Sequence, residues 1–116
     1  MADDVSASPS ANPKRNYTVK NIDVIVKSAD VLVRVFTLAP GDRIPWHFHS
    51  ESQDHYFVLK GKVTIERQDP ATSAVLSAGE RGLITPGTRH SVANESDSDA
   101  SFVLVQGVGK LDWLKA

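Results

Sequence analysis

All four histidines of this chain fall in two short stretches, three of them beside a carboxylate. His47, His49 and His55 lie with Asp54 in GDRIPWHFHSESQDHYFVLKG, from Gly41 to Gly61, and His90 lies in GERGLITPGTRHSVAN, from Gly79 to Asn94. In an extended strand residues two apart share a face, so His47 and His49 present both rings in one direction while Phe48 points the other way. That pair can chelate. Asp54 is the best local third ligand; Glu51 and Gln53 compete with it, and His55 faces away if Asp54 faces in. His90, arriving from another strand, would complete three imidazoles and one oxygen. Neutral imidazole suits Fe, Mn, Cu, Ni or Zn, and a carboxylate shifts the preference toward the harder ions. The expected cofactor is therefore one divalent transition metal, which can polarise a carbonyl, activate water or orient a substrate beside dioxygen. A plainer reading makes His47 and His49 a surface pair and His90 a polar loop residue beside Pro86 and Gly87. The combined spacing of the two stretches is what favours the metal.

The elements that must carry these residues read as strands. Tyr17/Val19 and Ile22/Val24/Val26 alternate, and Val31/Val33/Val35 then oppose Leu32/Arg34/Phe36/Leu38 up to Pro40-Gly41. HYFVLKGKVTIER, AVLSAGE, GLITPG, HSVANES and ASFVLVQGV repeat the theme, each bounded by turn residues. Gly41, Gly61, Gly79 and Gly87 stand where turns call for positive φ. Only the tail KLDWLKA suggests a helical turn, through Leu111 and Leu114 beside Trp113. An all-β sandwich or barrel is predicted, as one domain over residues 17 to 116. Residues 1 to 16, MADDVSASPSANPKRN, carry no apolar period and read as a disordered tail, with an arm onto a neighbouring subunit as the alternative.

The bulk numbers narrow the function classes. A chain of 116 residues buries roughly two-thirds of its unfolded surface, enough for a core without cross-links. The absence of cysteine excludes disulfides, zinc–thiolate sites and thiol catalysis. Thirteen basic and fourteen acidic residues, interspersed, give a net charge of −1, which is no footprint for nucleic acid or an anionic membrane. No apolar run approaches the ~18 residues of a membrane span. The opening MADD does not read as a secretory leader. A cytoplasmic setting is expected.

Taken as Gly41-x5-His47-x-His49-x4-Asp54-x6-Gly61 and Gly79-x5-Thr85-Pro86-Gly87-x2-His90-x3-Asn94, the two stretches resemble the two motifs of the cupin superfamily. The family has glutamate where Asp54 stands, and its usual proline falls at Thr85. The match covers residues 17 to 109. It implies a double-stranded β-helix, a jelly-roll-like barrel with a metal inside its mouth, and ligands at His47, His49, Asp54 and His90. Asp54 is one methylene short: it ligates if its strand leans in, acts through water, or leaves a three-histidine site.

Strand parity then lines the pocket. Tyr56 and Val58 face inward with Asp54, and Tyr56 is either a hydrogen-bond donor or acid near the metal or a core tyrosine with its hydroxyl at the rim. Arg34 either reaches solvent or offers its fork to a substrate carboxylate; Gln106 is a weaker candidate of that kind. Trp46 and Phe48 are expected to pack between sheets or at a subunit interface, and SESQD and NESDSD to be solvated loops. Two functions remain: a metalloenzyme acting on a small carbonyl, enol or hydroxy acid as an oxygenase or isomerase/lyase, with Tyr56 and Arg34 as its catalytic candidates, or a non-catalytic ligand-binding or sensor module. A homodimer is expected, because strand edges and aromatics such as Phe48 and Trp113 need cover.

Overall fold

The computed structural model describes residues 17–116; the expected disordered tail over residues 1 to 16 lies outside the described residues. The strands, in chain order, are β1 (Asn21–Lys27), β2 (Val31–Leu38), β3 (Arg43–Phe48), β4 (Gln53–Lys60), β5 (Lys62–Arg67), β6 (Thr72–Ser77), β7 (Arg81–Ile84), β8 (His90–Ala93), β9 (Ala100–Gly107) and β10 (Leu114–Lys115). They form two five-stranded sheets, ordered β1-β2-β9-β4-β7 and β10-β3-β8-β5-β6, with antiparallel pairing throughout. From β2 onward the chain passes from one sheet to the other at almost every connection. Strands adjacent in sequence thus mostly lie in opposite sheets.

The alternation read from the sequence is what packs. Along β9, Ala100, Phe102, Leu104 and Gln106 point inward and are buried, and along β4 Asp54, Tyr56 and Val58 do the same. Phe36 stacks on Phe102 at 5.1 Å between ring centroids, and Val63, Ile65 and Val92 meet them from the opposite sheet in one cluster. Gly61 makes the tight turn between β4 and β5 at φ 73°, where an added Cβ would sit 2.6 Å from the Asp99 carbonyl oxygen. Only glycine fits that position without displacement.

Four local expectations are corrected. The tail forms no helical turn: Leu114 and Lys115 are strand β10, paired with Phe48 and His47 of β3. An open strand edge on β3 outcompetes a single isolated turn, which is costly to nucleate. Phe48 does not pack between the sheets; it faces outward under the exposed Arg89 guanidinium, 5.0 Å from its ring centroid. Trp113 is half-buried against His47 and so is not an aromatic waiting for cover. NESDSD is not wholly solvated, because buried Asn94 donates to the carbonyls of Leu38 and Ser98 at 2.9 and 2.8 Å. In SESQD, Ser52 and Asp54 are buried as well.

Among the described residues no helix is long and apolar enough to cross a membrane.

Candidate metal centre

One sheet supplies the histidines and the other supplies the oxygen. His47 on β3 is directly paired with His90 on β8, and His49 lies just past the end of β3. Across the gap Asp54 on β4 is paired with Gln106 on β9, and Tyr56 follows on the same inward face. Strict alternation along β3 would not allow this. Ile44 and His47 are both buried although three residues apart, and the register shifts between them. A bulge at Pro45 and Trp46 inserts the extra residue, and proline suits it because no ladder hydrogen bond is asked of its nitrogen.

His47, His49, Asp54 and His90 are each at most 3% exposed, and their ligand atoms lie within 4.8 Å of one another. Each ring is held from behind. His47 Nδ1 is 2.7 Å from the Pro45 carbonyl oxygen, His49 Nδ1 is 2.5 Å from that of Asp112, and His90 Nδ1 is 2.8 Å from that of Thr88. A carbonyl can only accept, so Nδ1 carries the proton on all three rings. In the neutral tautomer each Nε2 is then an unprotonated acceptor, and that of His49 also has the Gln106 amide nitrogen at 3.3 Å. Asp54 Oδ2 lies 3.1 Å from His49 Nε2 and 3.2 Å from His90 Nε2.

Acceptor against acceptor at these distances calls for a cation. A proton on Nε2 provides one and a metal ion provides another. For an ion with bonds of ~2.1 Å, donors at right angles sit ~3.0 Å apart and opposed donors ~4.2 Å apart, which is the scale of this cluster. Asp54 therefore reaches the histidines despite its shorter side chain. The chemistry of the donor set, three imidazoles and one carboxylate, fits a divalent transition ion.

The electrostatics agree. Burial, reinforced by nearby His90 and only partly opposed by the Pro45 carbonyl, pushes His47 down to about 3, so it is a neutral imidazole at ordinary pH. For His49 burial works in the same direction, but the hydrogen bond and charge of Asp54 outweigh it and raise its value. Asp54 is fully buried, which opposes ionisation; hydrogen bonds to His49 and His90 win and hold it well below the usual carboxylate range.

The remaining candidates divide. Tyr56 is 1% exposed and donates its hydroxyl to Asp54 Oδ2 at 3.0 Å, so it is neither at the rim nor in the core alone. Burial and the Asp54 charge push its own value well above the ordinary phenol range. Gln106 donates to Asp54 Oδ1 at 3.1 Å and accepts from Arg34 Nη2 at 2.5 Å. Arg34 therefore turns inward toward Gln106 rather than out to solvent, half-buried and 4.9 Å from the Phe36 ring centroid. His55 faces away, 3.3 Å from Gln53 Oε1. Asp112 escaped the sequence reading, and Trp113 enters it only as an aromatic beside a helical turn and in need of cover. Their only signal is an aspartate and a tryptophan in a short tail, which no local period ties to the histidines.

The comparisons with known proteins agree with this fold. The family model described as a cupin domain matches residues 34–106. A Klebsiella pneumoniae protein with a double-stranded β-helix domain superposes with TM-score 0.74 at 24% identity, covering 89% of this chain and 90% of its own. An oxalate oxidase superposes with TM-score 0.68 at 22% identity, covering 75% of this chain but only 46% of its own. A Thermotoga maritima protein described as a predicted oxalate decarboxylase gives 0.69 at 19% identity, covering 76% and 79%. Among curated proteins no relative matches. With its matched region running from β2 to β9 and enclosing the whole histidine–aspartate cluster, the chain belongs to the cupin family.

Proposed function

We propose that this protein is a small single-domain metalloenzyme in which His47, His49, Asp54 and His90 hold one divalent transition ion and a small carbonyl, enol or hydroxy-acid substrate is transformed beside it. The observation that carries the reading is the set of three Nδ1 contacts to backbone carbonyls, which turns three Nε2 lone pairs onto one buried point beside a carboxylate. When bound, the ion supplies a Lewis-acid centre for a substrate oxygen. Tyr56 and Gln106 hold Asp54 in place by donating to its two oxygens. Arg34 places a permanent positive charge behind Gln106, which favours an acidic substrate. Oxygenase and isomerase/lyase chemistry both suit a buried, water-poor centre of this kind. A homodimer, supported by the exposed Ile25 and Val26 on edge strand β1, and a cytoplasmic setting complete the proposal.

The alternative is a non-catalytic ligand-binding or sensor cupin. One observation favours it: Tyr56, the candidate acid, is committed to Asp54 and pushed up, so it is a poor proton donor to a substrate. Elemental analysis of untagged protein beside His47→Ala and His90→Ala decides the first point. Near-stoichiometric metal lost in both variants supports the centre; a wild type that neither carries nor takes up metal ends the enzyme reading. Oxygen uptake and product analysis over enols, hydroxy acids and oxalate then separate the two functions. Turnover that requires His90 supports the enzyme, and saturable binding without turnover supports the module.

A further inference from the structure

The last described residues lie across the histidine strand rather than beside the barrel. Lys110 N donates to Glu51 Oε1 at 3.1 Å, and Ser50 donates to both Asp112 carboxylate oxygens, from N at 2.9 Å and from Oγ at 2.5 Å. With its side chain so fixed, Asp112 turns its backbone carbonyl onto His49 Nδ1. The Trp113 indole then lies face to face with the His47 ring, 4.8 Å between centroids and 16° between planes, with Tyr17 on it at 5.9 Å. Strand β10 adds Leu114 and Lys115 to the edge of β3, opposite Phe48 and His47, and Ala116 N donates to the Trp46 carbonyl at 3.2 Å.

We infer that residues 110–116 form a strap that orients two of the metal-binding histidines, with Asp112 fixing the His49 ring and Trp113 fixing the plane of His47, so that metal retention depends on the seating of this segment. The inference rests on the metal reading above. A ligand ring whose outer nitrogen and face are held loses little freedom when it binds, and removing such a partner weakens metal affinity about 10- to 100-fold. The strap is joined to the barrel by a two-residue strand and a few side-chain bonds. Segments held so lightly open more readily than the sheets they lie on. Lifting this one removes a support from His49 and the cover from His47 together, leaving His90 and Asp54 in place. Asp112 and Trp113 are thus positioning residues and the segment is a gate on metal release.

The test measures zinc affinity by competition with a chromogenic chelator, zinc release rate, and the melting temperature of the metal-free protein. The variants are Trp113→Ala, Trp113→Phe, Ser50→Ala and, as a control, Leu76→Ala, which lies in β6 against the core. Trp113→Ala should weaken zinc binding about 10- to 100-fold and speed release. Trp113→Phe keeps an aromatic face on His47 and should restore both. Ser50→Ala should weaken binding by a smaller factor, and Leu76→Ala should lower the melting temperature with affinity unchanged. Wild-type affinity and release in both Trp113→Ala and Ser50→Ala overturn the strap. So does affinity that merely follows melting temperature across all four variants. If Trp113→Ala does not fold, Ser50→Ala at wild-type affinity and release rate suffices to overturn it. A wild type that binds no zinc overturns the metal reading and the strap together, which separates that failure from the strap's own.

Discussion

Tyr56 donates its phenolic hydrogen to Asp54 Oδ2 at 3.0 Å, both residues on the inward face of β4 and both essentially without solvent contact. The bond lets a carboxylate that is short for its task stay aimed at two histidines. A buried hydrogen bond to a charged acceptor contributes about 1.5–3 kcal/mol. Tyr56→Phe removes it with little change of shape, so the metal-free variant should lose stability of that size by urea unfolding. Its zinc affinity should fall about tenfold, the lower end for an outer-sphere partner. Unchanged affinity would place Tyr56 in the packing alone.

Behind Asp54 the chain of contacts runs through Gln106 to Arg34. Gln106→Leu leaves one Asp54 oxygen without its donor, at a cost of about 1–3 kcal/mol, and removes one contact of the Arg34 guanidinium. Arg34→Met removes the same contact from the other side and strands the amide oxygen. The double variant should therefore be less destabilised than the sum of the two singles, by about 1 kcal/mol. Strict additivity in a double-mutant cycle would show that the 2.5 Å contact carries no stability.

Much of this site could be read from the sequence because two kinds of signal agreed. Period two located β1, β2, β4, β5 and β9 and put Asp54, Tyr56 and Val58 on one face. The spacing of the two motifs, through their resemblance to those of the cupins, brought the imidazoles together. What escaped was set by contacts between distant residues. The bulge in β3 is needed for Ile44 and His47 to be buried together, and Pro45 within a strand-like run was its only trace. Gln106 looked like a substrate candidate because its role as a brace between Arg34 and Asp54 follows from the pairing of β9 with β4. The tail was misread for the same reason: Leu111, Trp113 and Leu114 suit a helical turn in isolation, and an open edge on β3 decides otherwise.

Gly61 offers a change that should damage the barrel and spare the centre. It sits at the opposite end of β4 from Asp54, and its φ of 73° together with the 2.6 Å approach to the Asp99 carbonyl excludes a Cβ. Gly61→Ala should cost more than ~1 kcal/mol, seen as a lower urea midpoint. Metal stoichiometry should remain that of the wild type. Loss of metal in folded Gly61→Ala protein would mean that the β4–β5 turn sets the reach of Asp54.

His47 and His49 are displaced in opposite directions from the ordinary value of 6.5, and this fixes how stability must vary with pH. For His47, lowered to about 3, the contribution is complete above 6.5 and is lost as pH falls from there toward 3. Asp54, lowered from 3.8, adds a further loss at the acid end. For His49, raised, the contribution is complete below 6.5 and is lost as pH rises through its folded value. Metal-free protein should be most stable near the ordinary histidine value, declining on either side by up to about 1.4 kcal/mol per pH unit for each proton exchanged. Zinc held by this cluster would take the place of the His49 proton, so zinc-loaded protein should lack the alkaline decline, and zinc affinity should rise with pH across the His49 range. Thermal unfolding from mildly acidic to mildly alkaline buffer, with chelator and with zinc, reads both curves. Metal-free stability that keeps climbing on the alkaline side would mean that the lone pairs of His49 and Asp54 tolerate each other with no cation between them.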